Sequence, residues 1–219
     1  MKNLLIGLSK YEQGTRRRYS NHFASLAAGQ VPHTLFITCA DSRVVPHLLA
    51  CAEPGELFVI RNIANLVPPC GDPIDASVQA AVGYAVDNLE VTDIVVCGHS
   101  SCGGIKALMA GPQTEDSLGR WLGHAQPALA AFRAGETLDA SLPEADQLSQ
   151  LSALRQLQHL LSYPSVRRRV RAHKLNLHAF WFDIGCGQML AYQSEANRFV
   201  PAVEVLAQLC DADNARRVA

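Results

Sequence analysis

The pattern of apolar and polar positions along the chain predicts an α/β protein. Three short apolar runs, at 34–38, 57–61 and 93–97, are rich in aromatic and β-branched residues, which is typical of buried parallel strands. A fourth run, at 175–182, is followed by a glycine-rich turn and by the segment 188–193, which predicts a late strand and a hairpin. Between the strands, apolar residues recur with helical spacing. We therefore expect a mainly parallel sheet flanked by helices.

The predicted helices share apolar residues three or four positions apart, and some begin at proline or end at glycine. They lie at 1–13, 15–28, 46–51, 76–88, 103–109, 117–133, 144–161 and 164–173. Gly14 is expected to separate the first two, because glycine weakens a helix. The polar tail after Cys210 is expected to be frayed.

Composition and charge narrow the classes of function. The chain has 219 residues, which favours a single domain over 1–219. Its net charge of -1 argues against nucleic acid as the main partner. No apolar run approaches the ~20 residues of a transmembrane helix and no signal peptide is visible, so we expect a cytoplasmic protein without a membrane partner. Seven cysteines, an odd number, favour metal ligands and free thiols over a disulfide framework.

Two short segments carry the candidate chemistry, and each follows a predicted strand. They are Cys39-Ala40-Asp41-Ser42-Arg43 and Gly98-His99-Ser100-Ser101-Cys102-Gly103-Gly104. Alternate residues of an extended chain face the same side, so Cys39, Asp41 and Arg43 point to one place. His99 and Cys102 are close enough for one turn to bring both onto one ion. Zinc prefers thiolate and imidazole ligands, and α/β sheets bind ligands at the carboxyl ends of their strands, so we expect a zinc site here.

Asp41 leaves two interpretations open. It could be a fourth zinc ligand, or it could pair with Arg43 and leave zinc open for water. Cys97 would point away from the metal, because side chains alternate along a strand, and is expected to be a core thiol. Gly103 and Gly104 would let the backbone approach the metal. No phosphate-binding glycine motif is present, so a nucleotide-binding module is not favoured.

In residue type, order and spacing, the two segments match the two signatures of the β-class carbonic anhydrases. The sequence resembles that family from about residue 4 to about residue 200. The resemblance implies four parallel strands, one Zn²⁺ per chain and a homodimer or homotetramer. It also implies a helical dimerisation arm at 1–29, a zinc-binding core at 30–200 and a tail at 201–219. The implied activity is the reversible hydration of carbon dioxide to bicarbonate and a proton.

The resemblance further implies roles for the residues of the two segments. Cys39, His99 and Cys102 would hold zinc. Asp41 would bind zinc in a closed, inactive form and pair with Arg43 in an open, active form. In the open form Asp41 and Arg43 would be the catalytic residues, orienting the hydroxide that zinc generates towards carbon dioxide.

We expect the plant-type subclass of the family. Its pocket implies five substrate-binding residues here: Gln30, Phe58, Ile63, Tyr84 and Gly103. Gln30 and Tyr84 would come from one subunit and complete the pocket of the other. A second subclass holds inhibitory bicarbonate with a tryptophan, an arginine and a tyrosine. The corresponding residues are Phe36, Arg61 and Phe182, so two polar groups are lost and we expect no such bicarbonate site.

Two other functions would use the same residues. One is a non-catalytic zinc protein, structural or redox-sensing, with Asp41 always on the metal. Arg43 argues against it, because a structural site needs no cation that can pull the carboxylate away. The other is a hydrolase of the same fold that acts on a different small molecule such as carbon disulfide. For carbon dioxide hydration, two thiolate ligands donate more charge than imidazoles, which predicts higher activity at mildly alkaline pH.

Overall fold

The computed structural model describes residues 1–73, 75–111 and 116–207. Its strands form one sheet in the order β2-β1-β3-β4-β5-β6. They are β1 Thr34–Cys39, β2 Leu57–Asn62, β3 Asp93–His99, β4 Asn176–Asp183, β5 Gln188–Gln193 and β6 Arg198–Pro201. The first four are parallel, and β5 and β6 are antiparallel. The predicted parallel sheet with a C-terminal hairpin is confirmed.

The strand register brings the two motif segments together. β1 and β3 are central neighbours, and Thr38 of β1 lies opposite Cys97 of β3. Cys39, the last residue of β1, and His99, the last residue of β3, therefore reach the same edge of the sheet. Every residue of β1 is buried, as expected for a strand covered on both faces.

Helices flank the sheet. They are α1 Lys2–Lys10, α2 Arg16–Leu26, α3 Pro46–Leu49, α4 Ala76–Gly83, α5 Gly103–Met109, α6 Ser117–Leu122, α7 Gln126–Arg133, α8 Glu144–Leu161 and α9 Pro164–Arg171. On one face, Ile37 of β1 belongs to the core that includes Val82 of α4. On the other face, Phe36 and Cys97 belong to a smaller apolar cluster with Phe182. Cys97 is thus a core thiol, as predicted.

The N-terminal helical arm differs from its prediction. α1 and α2 are joined by a π-helical turn, Tyr11–Thr15, so the helix continues through Gly14. A glycine inside a helix costs only about 1 kcal/mol, which a single position can tolerate. No residue of α1 or α2 is buried, and Leu5 and Leu8 are more than half exposed. The apolar side chains of α1 therefore face outwards in the single chain.

Other segments also depart from their predicted boundaries. The helix expected at 117–133 is interrupted by a 3-10 turn, Gly123–Ala125, just before Pro127, which lacks a backbone N–H donor. The helix expected at 76–88 ends in a π-helical turn, Tyr84–Asn88. A 3-10 turn, Ile63–Asn65, lies in the expected loop at 62–75. β6 was not predicted because it is short and has polar residues before it.

Two expectations concern the chain outside the sheet. Among the described helices, none has both the length and the apolar character that crossing a bilayer requires. The frayed tail expected after Cys210 lies outside the described residues.

Candidate metal centre and active site

Three buried side chains form a cluster suited to a metal ion. Ligand atoms of Cys39, His99 and Cys102 all lie within 4.8 Å of one another. The Nδ1 atom of His99 lies 2.9 Å from the backbone oxygen of Ser100. Its Nε2 atom is buried and has no hydrogen-bond partner among the described residues. A buried nitrogen without a partner is costly, and a zinc ion bound there would satisfy it.

Backbone N–H groups support both sulfur atoms of this cluster. Cys39 accepts hydrogen bonds from the backbone of Asp41 and Ala64. Cys102 accepts them from Gly104 and Ile105, in the first turn of α5. The Cys102 thiol donates to Cys39 and lowers the pKa of Cys39, so Cys39 is the thiolate of the pair when one proton is shared. Thiolates that accept backbone hydrogen bonds are good zinc ligands.

Gly104 permits a close approach beside the metal centre. A Cβ atom on Gly104 would lie 2.9 Å from Cβ of Ala64 and 2.9 Å from Cγ2 of Ile63. A Cβ atom on Gly103 would meet nothing within 4 Å. Glycine is therefore needed at 104 to pack α5 against the Ile63–Asn65 turn, which donates to Cys39. The sequence predicted that the glycine pair would let the backbone approach the metal. In the structure, the close approach of Gly104 is to this turn.

Asp41 is paired with Arg43 in the structure. Arg43 Nε donates to Asp41 Oδ1 at 2.9 Å, and Arg43 Nη2 donates to Asp41 Oδ2 at 2.7 Å. These bonds hold the pKa of Asp41 well below its usual range. Asp41 Oδ2 nevertheless lies only 4.0 Å from His99 Nε2. The carboxylate is thus ionised beside the metal cluster while the guanidinium holds it.

Arg61 fixes the backbone of the first segment. Its Nε donates to the backbone oxygen of Cys39 at 3.2 Å, and its Nη2 donates to the backbone oxygen of Asp41 at 2.7 Å. The sequence had suggested Arg61 only as one member of an incomplete bicarbonate site. Its contacts explain a structural role instead, since they hold the turn that presents both side chains.

Helix α8 fixes the second segment, which sequence analysis missed. Asp146 accepts a hydrogen bond from the backbone N–H of Ser101 at 2.6 Å. One turn later, the hydroxyl of Ser149 donates to the backbone oxygen of His99 at 2.9 Å and accepts from the Trp181 indole at 3.1 Å. Asp146 and Ser149 are two of five buried polar residues on α8, with Gln150, Ser152 and Gln156, so the pattern of polar positions did not single them out.

Two predicted substrate residues, Ile63 and Gly103, lie beside this centre. Ile63 is 42% exposed and lines a cavity of about 350 Å³ with Ala40, Arg61 and Trp121. The Trp121 indole N–H donates to the backbone oxygen of Ile63 at 2.8 Å. Gly103 directly follows the ligand Cys102 and begins α5.

The other predicted pocket residues lie elsewhere in the single chain. The rings of Phe58 and Tyr84 are 5.9 Å apart. Phe58 lies opposite Leu35 on β1, four positions before Cys39, which is about 13 Å along a strand. Gln30 lines a separate groove with Leu26. One copy of the chain therefore does not bring these three residues to its own metal cluster.

Comparisons with known proteins agree with this geometry. The family model described as carbonic anhydrase matches residues 34–189. The chain is 40% identical over 206 residues to a carbonic anhydrase of Pseudomonas aeruginosa, covering 93% of each sequence. Its fold matches the β-carbonic anhydrase CcaA with a TM-score of 0.84 at 34% identity, covering 92% of this chain and 91% of that one. A structure described as one of two tetrameric β-carbonic anhydrases from Sordaria macrospora gives a TM-score of 0.76 at 31% identity, covering 87% and 95%.

The sequence, the fold and the metal cluster thus lead to one family. The match spans most of the chain, and the Cys39–His99–Cys102 cluster lies within the matched residues. The ligand set fits one zinc ion per chain. The chain belongs to the β-class carbonic anhydrases, zinc-dependent lyases that hydrate carbon dioxide.

Proposed function

We propose that Asp41 and Arg43 are the catalytic residues for the hydration of carbon dioxide in this chain. The observation that carries the proposal is the two-bond pair between them, 4.0 Å from the metal-facing nitrogen of His99. Arg43 keeps the Asp41 carboxylate ionised and holds it beside the Cys39–His99–Cys102 cluster. Of the two interpretations of Asp41, this geometry supports the open form.

The proposed mechanism assigns each group one task. Zinc held by Cys39, His99 and Cys102 would supply hydroxide near neutral pH by lowering the pKa of water. Asp41, kept ionised by Arg43, can only accept a hydrogen bond. It would therefore accept a hydrogen bond from the O–H group of the attacking oxygen, whose O–H bond stays intact, and turn a lone pair of that oxygen towards carbon dioxide. The product is bicarbonate, and the released proton goes to buffer.

We also propose that a second copy of the chain completes the substrate pocket. Gln30, Phe58 and Tyr84 of one copy would join Ile63 and Gly103 of the other as the substrate-binding residues. Tyr84 is 46% exposed, and the arm at 1–29 carries exposed leucines, so both have surface for a partner. The similarity to the tetrameric Sordaria macrospora enzymes supports a homodimer or homotetramer.

The remaining assignments are proposals of the same kind. The chain would be one domain with an arm at 1–29, a core at 30–200 and a tail at 201–219. The plant-type subclass is supported by apolar Phe36 and Phe182, which lie in one cluster beside Cys97. A cytoplasmic location is supported by the described cysteines, which are all free thiols, as a reducing compartment maintains them.

The test of catalysis is stopped-flow hydration of carbon dioxide by wild type and by Asp41→Ala, with zinc measured on the same samples. We expect fast hydration that rises with pH in the wild type and a loss of about 100-fold or more in the variant with zinc retained. Glu136→Ala, which removes an exposed carboxylate paired with Arg155, is the matched control. A wild type with full zinc but no hydration at any pH would instead favour a structural zinc site or another small substrate.

Assembly is tested by measuring, by sedimentation, the mass of a double variant that carries both Leu5→Asp and Leu8→Asp. We expect the variant to dissociate to monomers, because charges replace apolar contacts with a second copy. Asn3→Asp, on the same exposed helix, is the control. A variant that keeps the wild-type mass would contradict the role of the arm.

A further inference from the structure

A strained residue links the two motif segments. Ser101 has φ +55°, in the left-handed region that non-glycine residues rarely occupy. Its backbone oxygen accepts a hydrogen bond from Arg43 Nη2 at 3.4 Å, and the same Nη2 holds Asp41 Oδ2. The conformation of Ser101 therefore sets an acceptor for the guanidinium that restrains Asp41.

A buried carboxylate holds Ser101 in that conformation. Asp146 is only 7% exposed, and its Oδ1 accepts the Ser101 N–H at 2.6 Å. Its position in the first turn of the 18-residue helix α8 suits a negative charge. The backbone N–H of Asp146 donates to Pro143, which fixes the start of the helix. A rigid element thus offsets the cost of the left-handed backbone.

We propose that Asp146 is a positioning residue that keeps Asp41 off the metal. By fixing Ser101, it directs the Ser101 carbonyl at Arg43, and the guanidinium then stays on Asp41. This inference rests on the proposed role of the Asp41–Arg43 pair. Without Asp146, Ser101 relaxes to an ordinary conformation and its carbonyl leaves Arg43, whose side chain is 48% exposed and whose other hydrogen bonds among the described residues go to Asp41 itself. The Asp41–Arg43 pair then loses its anchor to the second segment, and Asp41, whose Oδ2 lies 4.0 Å from His99 Nε2, can join the metal ligands.

The test compares Asp146→Ala, Asp146→Asn and wild type by zinc content and by the pH profile of hydration. For Asp146→Ala we expect zinc to be retained and hydration to fall about 10- to 100-fold at pH 7, the range that small misplacements cause. The loss should shrink at about pH 9, because hydroxide then competes better with Asp41 for the metal. Asp146→Asn keeps an oxygen in the same place and should recover most of the activity.

A measurement that does not use catalysis follows the same variants. In cobalt-substituted protein, azide is titrated by visible absorption, because an external anion binds the metal only when Asp41 is off it. Asp146→Ala should bind azide about 10-fold more weakly than wild type, a coupling in the usual range. If wild type proves inactive in hydration, this titration still tests Asp146, so the two proposals can fail separately.

Two further variants separate positioning from general support. Ser101→Gly added to Asp146→Ala should restore much of the azide affinity and activity, because glycine adopts positive φ at no steric cost. Ser149→Ala, on the same face of α8, should weaken metal retention through His99 without changing the shape of the pH profile. A zinc-loaded Asp146→Ala with the wild-type profile and azide affinity would overturn the proposal, as would activity loss that only follows zinc loss.

Discussion

At the metal centre, Cys39, His99 and Cys102 are all at least 95% buried, and their neighbours in the same chain supply hydrogen bonds to them. The rings of Phe58 and Tyr84 contact each other, but Tyr84 is 46% exposed. The metal centre is complete within a single chain, whereas the pair Phe58 and Tyr84 is partly open to solvent. Under the proposed function, metal binding needs one chain and substrate binding needs two, so variants can separate them.

The largest effect is expected from Cys102→Ser. A hydroxyl is a poor zinc ligand compared with a thiolate, so zinc content should fall to roughly a tenth or less, with hydration lost in parallel. Metal analysis of the purified protein checks this, with Cys51→Ser, an exposed thiol outside the cluster, as the control. Full zinc in Cys102→Ser would mean that Asp41 or water can replace the sulfur.

Arg43→Ala should have the next largest effect. It removes the guanidinium that holds Asp41, so the second-order rate of hydration should fall about 100-fold with zinc retained. Stopped-flow rates on zinc-matched samples measure this. Arg155→Ala, which breaks an ion pair with Glu136, is the control for loss of a paired arginine. Unchanged hydration in Arg43→Ala would remove the pair from the mechanism.

Mixing two impaired variants tests the shared pocket directly. Tyr84→Ala should lower hydration about 10-fold or more if it completes the partner's pocket. When Asp41→Ala and Tyr84→Ala are mixed and allowed to exchange subunits, each hybrid dimer has one pocket with both residues intact. By two-fold symmetry, about a quarter of all sites should recover activity. No recovery, despite hybrid dimers seen by mass spectrometry, would place Tyr84 with its own chain's metal.

Gly104→Ala should act mainly on stability. Its Cβ would press on Ala64, so we expect unfolding to become easier by about 1–3 kcal/mol, together with weaker zinc binding. Gly103→Ala, which has open space, should be close to wild type in denaturant midpoint. Equal midpoints for the two variants would show that the turn at 63–65 can shift to make room for the added Cβ without lowering stability.

The smallest effect is expected at Asp93, the first residue of β3, at the end of the strands opposite the metal centre. Burial raises the pKa of Asp93, but hydrogen bonds from His178, Thr92 and Asn176 outweigh it, and the net shift is downward. A lowered pKa in the folded state adds stability above the unfolded pKa of ~3.9 and loses it as pH falls further. Asp93→Asn should therefore cost about 0.5–1 kcal/mol at pH 7 and progressively less as pH falls below the unfolded pKa of ~3.9, without affecting hydration. A variant that alters hydration would contradict the separation of the two ends of the strands.

The metal ligands could be predicted from the sequence because the apolar runs of β1 and β3 indicated where the strands end and His99 and Cys102 are close in the chain. The alternation expected for Cys39, Asp41 and Arg43 was wrong: β1 ends at Cys39, and a turn in which the Val44 N–H donates to the Asp41 backbone oxygen at 3.0 Å brings Asp41 and Arg43 together. Residues that act across long sequence separations gave no such pattern. Asp146 contacts Ser101 from a helix in a different part of the chain, and its polar character alone did not indicate which backbone group it would bind.

The helical arm and the pocket show a second limit. Gly14 suggested a break, but tolerance of one glycine and a π-helical turn kept the helix continuous. Phe58 and Ile63 look like core residues by composition, and only resemblance to a family assigned them to a pocket. The role proposed for Phe58 requires a neighbouring copy, which the periodicity of one chain does not describe.

The meeting of Cys39 and His99 has a consequence for how the protein matures. These ligands end two central strands that come from distant parts of the chain, so neither strand alone can capture zinc tightly. Tight zinc binding therefore requires that β1 and β3 have already paired in the correct register. During synthesis, zinc would be acquired late, after β3 has docked on β1, and chains with a slipped sheet would remain metal-free.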